Sequence, residues 1–364
     1  MSMLIRILSI DGGGIRGILP GQILISLEKK LQQKSNNPHA RLADFFDLLA
    51  GTSTGGILTA LYLCPDVSPP SPAPPSFREG PGVRHSAEQA VNLYLENGTK
   101  IFSKTFAKKL TSLFGITDEA FSVIQLETCL KKYFGDLKLS QSLKHCIVTS
   151  YDIKHRTPFF FRQRRAKENP DYDFPLWQVA RATAAAPTYF EPALIKSYAG
   201  NKFPLVDGGV FANNPALCAY AEARQIFESG IEERRRMKKN ASASEMFILS
   251  IGTGTVKVPY EYEKAKGWGL AGWARPVIDI MMSGVSDTVD FQLKQIFDAV
   301  GHPENYIRIM PDLLGASDDM SNASPENLFK LKNAGTKAAE KFDTELEKVA
   351  NALINNKGAG SFIA

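Results

Sequence analysis

The sequence predicts an α/β protein with a mostly parallel central sheet covered by helices on both faces. Three observations carry this prediction. The chain opens strand, glycine turn, helix and then repeats that order, as parallel strands joined by crossover helices do. Further short apolar runs follow at 146–151, 157–161, 203–207, 246–252 and 306–310. The composition is that of a globular domain, with 44% hydrophobic and 22% charged residues over 364 positions, which excludes collagen, coiled coil and a disordered chain.

The elements follow in order. Residues 4–10 are an apolar run ending at Asp11 and three glycines, a strand into a tight turn. From 20 to 34 apolar residues recur at helical spacing, with Pro20 suited to a first turn. Residues 45–50 are the next buried strand, 51–56 a glycine turn, and 57–63 a helix. Seven prolines between 65 and 82 exclude helix and central strand, leaving a lid over a site or a surface insertion. Ser86 caps a helix to Asn97, and Asn214–Pro215 opens one expected to reach Lys239. That helix ends in Arg234, Arg235, Arg236, Lys238 and Lys239, which complement its dipole or form a membrane-facing patch. A last helix is expected over 324–351. Nothing in the sequence forces a linker, so 4–218 reads as a core and 219–364 as completing the same globule.

The chemistry classes narrow quickly. Forty-three Lys and Arg against 38 Asp and Glu give +5, too mild to indicate a nucleic-acid polymer as partner. Four cysteines without a CxxC pair disfavour a disulfide framework and suit a reducing, cytoplasmic setting. Five histidines without HExxH disfavour a zinc hydrolase, and no metal or cofactor is expected. The longest uncharged stretch, between Asp47 and Asp66, contains Gly51, Ser53, Gly55 and Gly56 and reads poorly as a membrane span, so any membrane contact is expected to be peripheral.

Three motifs stand at strand ends. Gly51-Thr52-Ser53-Thr54-Gly55 is a G-x-S-x-G between a buried strand and an apolar helix, the context of a nucleophile elbow. About 0.1–0.2 such matches arise by chance in a chain this long, so the context matters more than the pattern. Asp11-Gly12-Gly13-Gly14-Ile15-Arg16-Gly17 also satisfies G-x-G-x-x-G. A dinucleotide fingerprint wants an acid at the end of the second strand, and Asp44 and Asp47 come too early. Three successive glycines serve better to turn backbone N–H groups toward an oxyanion, with Arg16 supporting the turn or the anion. Asp207-Gly208-Gly209 ends a third strand, where Asp207 is a base or a turn-forming residue. The order Ser53, Asp207, His302 permits a triad, and Ser53 with Asp207 alone permits a dyad; spacing does not choose.

These motifs, with residues 180–190 (Ala-Arg-Ala-Thr-Ala-Ala-Ala-Pro-Thr-Tyr-Phe) and 207–215 (Asp-Gly-Gly-Val-Phe-Ala-Asn-Asn-Pro), resemble the patatin-like phospholipase family. The resemblance implies a three-layer patatin-like fold and a lipid acyl hydrolase with Ser53 as nucleophile and Asp207 as base. It places the oxyanion site at Gly12, Gly13 and Gly14 with Arg16, and implies a phospholipid or other acyl-lipid substrate. The last third further resembles bacterial patatin-like proteins, some of which are anti-phage effectors switched on by a cyclic dinucleotide, so such an activator is a second expectation. The alternative from another class is a non-enzymatic module binding a dinucleotide at the Gly12–Gly17 turn.

Overall fold

The computed structural model describes residues 4–65, 84–102, 121, 123–229, 241–254 and 259–356. The expected lid or insertion (beyond Pro65) and the basic run 234–239 lie outside the described residues.

Among these residues eight strands form one sheet: β1 Ile5–Ile10, β2 Leu48–Thr52, β3 His145–Asp152, β4 Thr157–Arg162, β5 Ala193–Lys196, β6 Lys202–Asp207, β7 Met246–Ile251 and β8 Tyr306–Ile309. The order is β5-β6-β3-β2-β1-β7-β8, with β4 paired to β3. β3, β2, β1, β7 and β8 run parallel, while β4 and β6 lie antiparallel to β3 and β5 antiparallel to β6. β7 and β8, both from the last third of the chain, therefore extend the sheet begun by β1.

The helices are α1 Ile18–Lys34, α2 Thr54–Tyr62, α3 Ala87–Ile101, α4 Val123–Phe134, α5 Gln163–Glu168, α6 Leu176–Thr183, α7 Gly209–Ala212, α8 Ala216–Ser229, α9 Tyr262–Ala265, α10 Leu270–Ala299, α11 Pro325–Lys341 and α12 Asp343–Asn355. Alternation along the strands divides them into two layers. Leu8, Ile10, Leu49, Val148, Leu249 and Ile251 join the apolar cluster that takes in Leu24, Leu58, Val91, Leu331 and Leu346 of α1, α2, α3, α11 and α12. Ile5, Ile7, Leu48, Ala50, Ile147 and Ile248 join a second cluster with Ala219 and Ala223 of α8 and Leu293 and Phe297 of α10. Both faces of the sheet are thus dry, and burying each large apolar side chain contributes about 1.5–3 kcal/mol.

The pairing around β3 positions the site. Residues 147–149 of β3 pair with both β2 and β4, and residues 150–152 with both β4 and β6. A strand has two edges, so β2 and β6 share one of them. β2 comes along it in the direction of β3 and stops at Thr52, opposite Thr149; β6 comes the other way and stops at Asp207, opposite Ser150.

Two expectations shift, and one strand was not anticipated. The second strand begins at Leu48 rather than 45, because Leu42–Asp44 form a turn and Asp47 is held by the backbone N–H and guanidinium of Arg6 at 2.9–3.0 Å. The 324–351 helix is two helices broken at Phe342, whose ring packs on the core. Strand β5 follows Pro192 and alternates buried and exposed over only four residues. No helix among the described residues is long and apolar enough to cross a membrane.

Candidate active site

Ser53 stands between β2 and α2 at φ 54°, ψ −121°, a conformation sparsely populated by residues with a side chain. The neighbouring glycines make this turn possible. A Cβ at Gly51 would lie 2.2 Å from the Gly55 carbonyl oxygen, and one at Gly55 would lie 2.1 Å from the Ile10 carbonyl oxygen. The start of α2 is therefore packed directly on the backbone of β1 and β2. The Ser53 N–H donates to Thr183 Oγ1 at 2.8 Å, and that hydroxyl donates to the Thr149 carbonyl at 2.7 Å, which ties the turn to β3 and α6. The N-terminus of α2 lies at Ser53, so its dipole favours negative charge there.

Asp207 is buried with the Ser53 side chain beside its carboxylate, and its Oδ1 accepts a hydrogen bond from the Gly209 N–H at 2.7 Å. Burial pushes its pKa up to about 7 against the lowering effect of Ser53 and the Gly209 N–H. Gly208 gives β6 its close approach, since a Cβ there would meet Thr149 Oγ1 at 2.1 Å. A carboxylate so placed is a stronger base than one in water and titrates near neutrality.

The glycine loop lies against the same elbow. A Cβ at Gly12 would be 3.2 Å from Ser53 Cβ. The Gly12 N–H is already engaged by the Asn213 carbonyl at 3.1 Å. The N–H groups of Gly13 and Gly14 donate to no group among the described residues. Their peptides are pinned from the opposite side: the Gly12 carbonyl accepts from Thr253 Oγ1 at 2.7 Å, and the Gly13 carbonyl accepts from Arg16 N at 3.2 Å and Nε at 3.4 Å. In a trans peptide the carbonyl and N–H point opposite ways, so holding each oxygen also aims the following N–H. Arg16, which also donates to the Gly254 carbonyl at 3.1 Å, braces the loop from behind and does not line the cavity at Ser53. Asp11 forms a buried two-bond ion pair with Arg308 of β8, at 2.8 and 2.5 Å.

Ser53, Asp207 and Gly14 open on one cavity. Its wall is otherwise mainly apolar, with Ile57, Leu93, Leu126, Phe190, Ile278 and Met282 among its residues. No histidine lines it. His302 is half-exposed, contacts Glu304 at 3.1 Å and precedes β8. Since β8 runs parallel to β2, His302 sits beyond the opposite edge of the sheet from Ser53, about 13 Å away along a four-residue strand alone. The Ser53/Asp207/His302 triad is therefore excluded by topology. The dinucleotide reading loses its first anchor, because the Gly12 N–H is already taken by the Asn213 carbonyl and Thr253 and Met320 pack against the loop.

Thr253 and Asn213 were not anticipated. Gly252-Thr253-Gly254 follows the apolar run of β7, the same strand-and-glycine signal as at Asp11 and Ser53, and could have been found that way. Asn213 carries no such signal, because its backbone carbonyl does the work.

Comparison with known proteins agrees with this geometry. The family described as patatin-like phospholipase matches residues 8–220. Patatin-like protein 2 of Arabidopsis thaliana is 37% identical over 355 residues, covering 93% of this chain and 83% of the relative. Patatin-like protein 1 of the same plant is 35% identical over 92% of this chain and 81% of its own. Patatin-2-Kuras 3 of Solanum tuberosum is 32% identical over 97% of this chain and 91% of its own.

Proposed function

The chain belongs to the patatin-like phospholipase family and is a lipid acyl hydrolase, and from that premise we propose that Ser53 and Asp207 are its nucleophile and general base. One observation carries the reading: a serine held in a strained turn and a buried carboxylate titrating near 7 face each other on one apolar cavity.

In this reading the acyl chain of a glycerophospholipid or related lipid lies in the cavity with its ester carbonyl at Ser53. Ser53 Oγ attacks the carbonyl carbon as Asp207 takes the hydroxyl proton. The N–H groups of Gly13 and Gly14 hold the tetrahedral oxyanion, with Thr253 and Arg16 keeping them aimed. The intermediate collapses, the C–O bond to the leaving alcohol breaks, and Asp207 returns the proton to that alcohol. Water then attacks the acyl-Ser53 ester with Asp207 again as base, and the fatty acid leaves. Gly12 supports the loop through Asn213 rather than donating to the oxyanion. We propose the protein acts as a peripheral visitor to lipid surfaces in the cytoplasm. The proposal is confined to hydrolysis.

The test is lipid-product mass spectrometry on the purified protein with Ser53→Ala, Asp207→Asn and His302→Ala, together with fluorophosphonate labelling. Label on Ser53, lost in Ser53→Ala, with activity abolished in the first two variants and retained in His302→Ala, is the expected result. Full activity in Ser53→Ala would end the proposal.

A further inference from the structure

The N-terminal part of α10 is apolar on both sides. Its inner face lines the cavity through Ile278 and Met282 and further along enters the second core through Val289, Leu293 and Phe297. On a helix of 3.6 residues per turn the opposite face carries Trp273, Val277, Ile280, Gly284 and Phe291. These side chains are exposed, Trp273, Val277 and Ile280 by 40–45% and Phe291 by 65%. A Cβ at Gly284 would meet nothing within 4 Å. The apolar stripe runs about 16 Å from Trp273 to Gly284 at 1.5 Å per residue, and exposed Asp287 and Thr288 then interrupt this face before Phe291. An exposed helix face normally carries charge, and a continuous apolar one marks a contact.

We infer that this outer face of α10, with the aromatic residues at its start, is the surface on which the protein docks to a lipid bilayer; the inference rests on the lipid acyl hydrolase reading. Three features favour a bilayer over a protein partner. First, the stripe is continuous with the cavity: Met281 lies at its margin, is 43% exposed and also lines the cavity beside Ile278 and Met282. A chain drawn from a bilayer under α10 would reach Ser53 without crossing water. Second, Tyr260, Trp268 and Trp273 form an edge-to-face series with centroids 5.4 and 5.0 Å apart, and the Tyr260 hydroxyl donates to Asp279 at 3.1 Å. Rings with an apolar body and a bonded polar tip are the type that settles at a membrane interface. Third, the described charges near the stripe form no basic patch: Glu261, Glu263, Asp279 and Asp287 stand beside Lys264 and Lys266, and Lys266 pairs with Glu263. Docking is therefore apolar, and a zwitterionic surface suffices.

The test uses the full chain and vesicles of pure phosphatidylcholine. The wild type floats with the vesicles, and 0.5 M salt leaves this unchanged within about twofold. Trp273→Glu and Val277→Glu each lower the bound fraction and the rate on vesicle phospholipid at least tenfold. Both keep the wild-type rate on a water-soluble short-chain ester, because neither residue lines the cavity. The milder pair Val277→Ser and Phe291→Ser moves binding the same way if a glutamate variant fails to fold. Wild-type vesicle binding in these variants overturns the inference, as does equal loss on both substrates in folded protein. Loss of a dimer with vesicle binding intact overturns it as well. Ser53→Ala still floats, so an inactive but vesicle-bound protein counts against the dyad and not against the docking face.

Discussion

Ser53 and Asp207 follow and end two strands that approach each other head-on along one edge of β3. Thr52 pairs with Thr149 and Asp207 with Ser150, so the lane occupied by β2 is taken over by β6 at the next residue. The usual rule places sites beyond the carboxyl ends of parallel strands. Here one partner arrives on a parallel strand and the other on an antiparallel one.

Activity should follow the ionisation of Asp207. As a base it must be deprotonated, and burial holds its pKa at about 7. The value of kcat/KM on a soluble ester should fall tenfold per pH unit below about pH 7, with no such limb set by a histidine. A pH profile flat from 5 to 8 contradicts this.

The same group has an opposite effect on stability. A carboxyl whose folded pKa lies above its unfolded value of about 3.9 stabilises most below pH 4, and that contribution is lost as pH rises through about 7. Asp207→Asn should therefore gain stability relative to wild type as pH rises from 4 to 7, by up to about 1.4 kcal/mol per pH unit. Urea melts at pH 4, 5.5 and 7 measure the trend; a constant difference contradicts it.

Thr253→Val keeps the branched shape and removes the hydroxyl that holds the Gly12 carbonyl. Loss of one such bond, about 1–1.5 kcal/mol, should lower kcat about tenfold with KM little changed, because the Gly13 N–H loses its aim only where the oxyanion forms. A rise in KM at constant kcat would assign Thr253 to substrate binding instead.

Gly55→Ala should destabilise by about 1–3 kcal/mol or more and also reduce activity, since its Cβ would press on the Ile10 carbonyl at 2.1 Å. Chemical denaturation measures the first effect and ester hydrolysis the second.

Arg308→Leu leaves the Asp11 carboxylate buried without its cation. The expected loss is about 3–5 kcal/mol, read from urea unfolding at pH 7. The loss should shrink at pH values where an unpaired Asp11 can take up a proton.

Much of this was legible in the chain. The parallel core, the elbow at Ser53 and the glycine loop each announce themselves by an apolar run followed by glycines, because a dry strand and a tight turn both restrict residue type locally. The head-on meeting of β2 and β6 was not legible, since pairing direction depends on the path of residues 152–202 rather than on any residue in β6. Backbone duties also escaped notice: Asn213 acts through its carbonyl, and every residue has one. The break at Phe342 was hidden because the apolar period continues across it, from α11 into α12.

The shared lane also bears on how the protein matures. Residues 48–52 and 202–207 each pair with β3, so the catalytic pair does not exist until β2, β3 and β6 share one sheet. Such long-range strand closure is slow and comes late in folding. A nascent or refolding chain would thus be harmless to surrounding lipid until β6 is seated beside β3, and recovery of hydrolysis after dilution from denaturant would time that event.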